Sequence, residues 1–154
     1  MASDSFTIRI EDHSADVLRE LETRIQAGLE ACGDHAVDFA QNVITAGVPR
    51  NPGSWYHSRG AAGLKGSISH QVQMGEHAMY VGSNFETAPY NEYGTGIYLE
   101  SDDGRQGRQT PWSYQDEDGN WHTTRGMKPL HMLKKSLADH IEDHKKTLEK
   151  ELKK

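Results

Sequence analysis

Leu18, Leu21, Ile25, Leu29, Cys32, Ala36, Phe39 and Val43 recur at steps of three and four residues. That spacing draws one continuous apolar stripe along a helix, on the order of 45 Å long at 1.5 Å per residue, ending near Gly47 and Pro49. Asp12 or Ser14 is suited to cap its start, and Gly28 and Gly33 weaken it locally. Such a stripe needs covering along its whole length, and the chain has little to cover it with. Leu, Ile, Val and Phe supply only 26 of its 154 residues. That is below the roughly 20% at which a core becomes thin, although a net charge of −6 is too small to enforce disorder. The expectation is one domain that leaves apolar faces for neighbouring subunits to finish burying.

Several classes are disfavoured at once. No apolar run approaches the ~20 residues needed to cross a bilayer, and no charged-then-apolar leader opens the chain. The single cysteine, Cys32, has no partner within the chain for a disulfide. A sequence pI near 5.8 lacks the basic footprint of a dedicated nucleic-acid binder. The expected context is soluble and intracellular. Charge is uneven: residues 1–50 carry nine acids against four bases, and residues 129–154 carry seven lysines against five acids. The two regions either attract each other, within the fold or between subunits, or form two solvated helix faces.

The remaining elements follow from periodicity and punctuation. Phe6–Ile10 alternates like a short strand. Residues 47–63 read as a long loop rich in Gly and Pro. Trp55 and Tyr56 there suit either a contact site or a fold-back onto the domain. Ile68, His70, Val72 and Met74 alternate with polar residues, Gly75-Glu76-His77 turns, and Ala78–Gly82 returns antiparallel. Tyr90–Leu99 reads as a further strand, bent or bulged at Gly94-Thr95-Gly96. A polar loop spans Ser101–Gln109. Trp112–Tyr114, a turn at Asp116–Gly119 and Trp121–Thr123 then form an aromatic hairpin. A last helix starts at Pro129, with a stripe of Leu130, Leu133, Leu137, Ile141, His144, Leu148 and Leu152. The fold class is α+β, an antiparallel sheet with a long N-terminal helix, a C-terminal helix and long loops. One domain covers residues 1–154, with mobile loops at about 47–63 and 101–110 and a frayed end at 148–154.

The chain carries no recognisable reaction centre. His140 and His144 stand at i and i+4, as zinc ligands do. However, Ile141 stands where one metalloprotease motif needs Glu, Asp143 stands where the reversed motif needs it, and no third ligand follows from the sequence. No Gly-x-Ser-x-Gly elbow is present. Cys32 sits on the apolar stripe, where burial as a small hydrophobe is expected. Gly94-Thr95-Gly96 lacks the third glycine of a dinucleotide loop, and no lysine completes a phosphate loop. The expectation is no catalytic residue, no metal ligand and no cofactor.

Three stretches, taken in order, carry a resemblance. They are Gly63-Leu64-Lys65-Gly66-Ser67-Ile68, then Tyr80-Val81-Gly82-Ser83, then Ala88-Pro89-Tyr90-Asn91-Glu92-Tyr93-Gly94-Thr95-Gly96. The succession resembles the neck proteins of long-tailed bacteriophages, variously called head–tail connector, tail-completion or minor tail proteins. That family reads Thr-Gly-x-Leu-Arg-x-Ser-Ile, then Val-Gly-(Ser/Thr), then Tyr-Ala-x-Tyr-x-Glu-Phe-Gly-Thr, and closes with an aromatic hairpin, a Gly-x-x-Pro element and a helix. The counterparts here are Trp112–Trp121, Gly126-Met127-Lys128-Pro129 and the last helix. The likeness spans about residues 14–145, and Glu92–Gly96 is its most specific piece. Departures are Ala61-Ala62-Gly63 before Leu64, Tyr93 for the usual Phe, and Thr87-Ala88 for Tyr-Ala.

The resemblance implies a structural virion protein of the neck or tail, assembled in the host bacterial cytoplasm and forming a ring that connects or completes the tail at the portal. Its partners would be other copies of itself, the adjoining connector or stopper, and tail-terminator or tail-tube proteins. DNA would pass through the channel without specific binding, since acidic surface repels phosphate. Subunit or neighbour contacts are expected at Trp55, Tyr56, Glu92, Tyr93, Gly94, Thr95 and Gly96, and at loops 47–63 and 101–110. Gly94 and Gly96 can equally serve only to permit backbone angles that other residues resist. Two further readings are a tail-terminator or tail-assembly factor controlling tail length, and a His-dependent metal-binding protein.

Overall fold

A computed structural model describes residues 9–47, 60–116 and 118–154. The α+β plan holds: a long N-terminal helix, two antiparallel hairpins and a helical C-terminus. Helix α1 spans Ser14–Gly47, about 51 Å at 1.5 Å per residue. The Asp12 carboxylate accepts the Ser14 amide at 2.9 Å, one of the donors a helix start leaves unpaired, and this bond chiefly holds the Asp12 carboxyl below its usual range.

The face that α1 buries overlaps the expected stripe at Cys32 and Ala36 but is turned toward smaller residues beside it. Gly28, Cys32, Gly33, Ala36, Ala40 and Ile44 are buried, whereas Leu18 and Leu21 are exposed and Ile25, Leu29, Phe39 and Val43 are half-buried. Size decides this. A Cβ on Gly28 would lie 2.5 Å from Leu148 Cδ1, and one on Gly33 only 2.2 Å from the His70 ring. The two glycines that weaken the helix locally are places where other elements come close to it.

Helix α2, Gly60–Ser67, takes over residues 60–63 of the expected loop and leads directly into strand β1, Ile68–Gln73. The rest of the expected 47–63 loop, with Trp55 and Tyr56, lies outside the described residues, as does most of the expected Phe6–Ile10 strand; Arg9 and Ile10 carry no strand. Strand β2, Ala78–Ser83, pairs antiparallel with β1 in the register His70 opposite Val81. This hairpin lies against α1, with Ile68 and Val81 turned toward the core.

The strand expected over Tyr90–Leu99 is helical. Helix α3 spans Ala88–Tyr93, with Pro89 in its first turn, where the missing amide donor costs nothing. Gly94 at φ 76° ends it, and a single 3-10 turn follows at Gly96–Tyr98. The polar loop expected after it holds, with no regular structure across 105–109. Strands β3 (Trp112–Gln115) and β4 (Trp121–Thr124) form the second hairpin, a separate two-stranded sheet. Tyr114 and His122 face each other across it with ring centroids 5.4 Å apart.

The C-terminal helix begins later than Pro129 and is broken. Helix α4 spans Met132–Ala138 and α5 spans Ile141–Leu152, separated at Asp139 and His140. Helix α5 runs antiparallel along α1: Leu152 O lies at Arg24, Leu148 at Gly28, and Cys32 Sγ donates to His144 O at 3.3 Å. Among the described residues no ion pair joins these two helices; their charges pair within each helix, as Arg19–Asp16 and Lys145–Glu142 do. The main core lies at the other end of α1, where Ala40 and Ile44 meet Leu64, Ile68, Ala88 and Met132.

Candidate functional site

The Glu92–Gly96 stretch is a crossing of two backbones. Thr95 N donates to Met127 O at 2.8 Å, Met127 N donates to Thr95 Oγ1 at 2.9 Å, and Ile97 N donates to Arg125 O at 3.0 Å. Gly96 adopts φ 62°, and a Cβ there would fall 2.0 Å from Arg125 O. A Cβ on Gly126 would fall 2.0 Å from Thr95 O, so the crossing closes only because both residues lack side chains. Gly94 and Gly96 therefore serve a turn and a close approach between segments, not a bulge in a strand.

Just upstream, α3 dictates where α4 starts. Leu130 N donates to Asn91 O at 2.7 Å and His131 N to Glu92 O, so these two amides are spent on α3 instead of an early helical turn. The Glu92 carboxylate then accepts Leu133 N at 2.9 Å and Lys134 N at 3.0 Å. It caps α4 from a distance, favourable both for the unpaired amides and for the positive end of the helix. Only 7% exposed, Glu92 has both oxygens engaged inside the fold.

Of the five residues in this stretch, Tyr93 alone presents an exposed side chain; Glu92, Gly94 and Gly96 are buried and Thr95 is half-buried. Tyr93 opens onto a groove of about 430 Å³, bordered by Glu100, His131, Lys134 and Leu137. A second groove of about 420 Å³ shares Glu100 and His131 and runs past Ile97, Tyr98 and Lys128. His131, held at φ 52° with its Nε2 2.9 Å from Glu100 Oε2, forms the saddle between them. Sequence reading misses this groove, since Leu137 counts there in the stripe of the last helix and Ile97 only as part of a strand. The run of exposed Tyr90, Tyr93 and Tyr98 is the signal that could have marked it. The 101–110 loop folds toward the same place, with Gly107 packed against Gly96 O. In that loop Ser101 and Arg105 hydrogen-bond the Asp103 carboxylate and pull its pKa down to about 2.

The histidine pair on the last helix is built into packing. His140 stacks on Phe39 with centroids 3.5 Å apart, His144 meets the same ring edge-on, and His144 Nε2 lies 2.9 Å from Ser136 O. Among the described residues no three His, Cys, Asp or Glu side chains gather as a metal site would require. Cys32 is 4% exposed, and burial pushes its thiol up, away from the reactive thiolate. No helix among the described residues is long and apolar enough to cross a membrane. No family model, curated protein or solved structure matches the chain.

Proposed function

We propose that this chain is a structural subunit of the head–tail joint of a long-tailed bacteriophage or prophage, in a ring that connects or completes the tail at the portal. The observation that carries the reading is the use made of Glu92–Gly96, the stretch most specific to the neck-protein resemblance. Its acid caps α4 and its glycines close a backbone crossing, while Tyr93 alone faces outward. A motif spent on architecture, with aromatic surface beside it, suits a protein whose work is to be held by neighbours. Those neighbours are further copies of itself and the adjoining connector, terminator or tube proteins. A net charge of −6 lets DNA pass the subunit without sticking, because like charge suppresses phosphate contacts. Tight DNA binding at ordinary salt would remove that part of the reading.

The test is electron microscopy of a lysate from a phage or prophage lacking this gene. Filled heads beside free tails of normal length are expected. Tails of abnormal length would transfer the protein to length control, and intact infectious particles would overturn the assignment.

A further inference from the structure

Among the described residues, two of the exposed apolar surfaces stand at opposite ends of α1. One is the start of α1. Helix α5 ends at Leu152, level with Arg24, so α1 projects beyond it as an arm carrying Val17, Leu18 and Leu21 at 62%, 60% and 44% exposure. The other is the groove between Tyr93 and Leu137, which are 44% and 40% exposed. Helix α4 borders that groove, and it packs on α1 near Ala40 and Ile44. The groove thus lies roughly 30 Å or more along the helix axis from Leu18. A chain cannot lay its own arm in its own groove.

One pair of unengaged charges, Glu22 on the arm and Lys134 at the groove, matches the two surfaces to each other. On the arm, Arg9, Arg19 and Arg24 are engaged by Glu11, Asp16 and Glu20, and Asp12 is spent on the Ser14 amide. Glu22, one turn after Leu18, joins no ion pair among the described residues. At the groove, Glu100 is engaged by His131, whereas Lys134 joins no ion pair among the described residues. Asp102, also on the rim, disfavours any register that brings Glu22 to it.

We infer that the chain associates head to tail with a second copy of itself. The arm of one subunit, through Val17, Leu18 and Leu21, lies in the Tyr93–Leu137 groove of the next, with Glu22 against Lys134. An apolar helix stripe in a groove is an established recognition mode, and unlike surfaces in contact close into a ring when the rotation permits. This deepens the ring-subunit reading and rests on it.

Sedimentation of the purified full-length chain, carried up to about 1 mM to catch weak contacts, tests the arrangement. The wild-type chain is expected to associate. The arm variant Leu18→Asp/Leu21→Asp and the groove variant Leu137→Asp should each be monomeric with unchanged circular dichroism, Tyr93→Ala standing in for the groove if Leu137→Asp unfolds. Mixed in equal amounts, arm and groove variants should form dimers and nothing larger, because one intact arm and one intact groove remain per pair. Glu22→Lys should weaken association about two- to fivefold, and Lys134→Glu in the same chain should restore it. A groove variant that still associates would mean arms pack on arms and would overturn the proposal. So would a mixture that stays monomeric, or a wild-type chain monomeric throughout. Failure here, in a chain whose loss still leaves filled heads beside free tails, overturns the arm and leaves the joint assignment standing.

Discussion

The two halves of α1 carry apolar residues at the same helical spacing, yet the fold buries one half and leaves the other in solvent. From Gly28 to Ile44 the buried positions are mostly Gly, Ala and Cys, and α5, β1 and the core come within touching distance of the helix backbone. From Val17 to Leu21 the residues are larger and more apolar, and nothing among the described residues covers them. Hydrophobicity alone does not predict which half is buried. What distinguishes them is the room that small residues leave for a second backbone, because dispersion and area burial both grow as the elements close up.

The largest effect that would break this contrast is at Ile44, fully buried in the core. Ile44→Ala should destabilise the chain by about 2–5 kcal/mol in urea unfolding. A loss near that of a surface change would mean the inner half is not the anchor described here. Next come the two seam glycines, whose signs should differ. Gly33→Ala drives a Cβ into the body of the His70 ring, which Glu30 holds at 2.8 Å. Overpacking of about 1–3 kcal/mol should outweigh the roughly 1 kcal/mol that Ala adds to helix propensity. At Gly28 the atom met first is the free end of Leu148, which can rotate away. Gly28→Ala should therefore change the unfolding midpoint little or raise it.

On the outer half, Leu18→Ser should alter the stability of the monomer by no more than about 0.5 kcal/mol, as surface substitutions do. A larger loss would show that the arm is covered within its own chain. The smallest effect is a pH dependence at the tip. The Asp12 carboxyl is held below its usual value of 3.8 by the Ser14 amide. A depressed acid contributes stability that is present above its unfolded value and lost as pH falls through the folded one. Acidification below pH 3.8 should therefore fray the first turn of α1, seen as faster amide exchange there, before the seam at Cys32 responds.

Much of this architecture was legible in the residues. The long helix, both hairpins with their turns, the polar loop after Leu99 and the burial of Cys32 follow from local periodicity and punctuation. What was not legible depends on partners far along the chain. Tyr90, Thr95 and Ile97 favour strands locally, yet Asn91, Glu92 and Thr95 bond to residues 127–134, and those bonds decide the backbone. The late start of α4 has the same origin. The glycines of the α1 seam were missed for a different reason: the stripe held Cys32 and Ala36, but a pattern that counts apolar side chains gives Gly28 and Gly33 no weight. At the candidate site, Glu92–Gly96 stood out as a unit, but its division into four inward residues and one outward tyrosine needed the crossing to be seen.

That crossing also says something about how this chain can change over generations. Thr95 and Ile97 are clasped to Met127 and Arg125, so the intervening chain, with its polar loop and aromatic hairpin, leaves and re-enters the domain at a single sealed base. Lengthening a closed excursion costs little, about 0.6 kcal/mol for each doubling, and none of the main core residues lies within it. Insertions, deletions and new surface chemistry can accumulate there while α1, the first hairpin and α4 keep their register. Beyond Glu100 and Asp102, which border the groove, the domain thus carries a variable appendage, closed at its base where Gly96 and Gly126 let the two backbones cross.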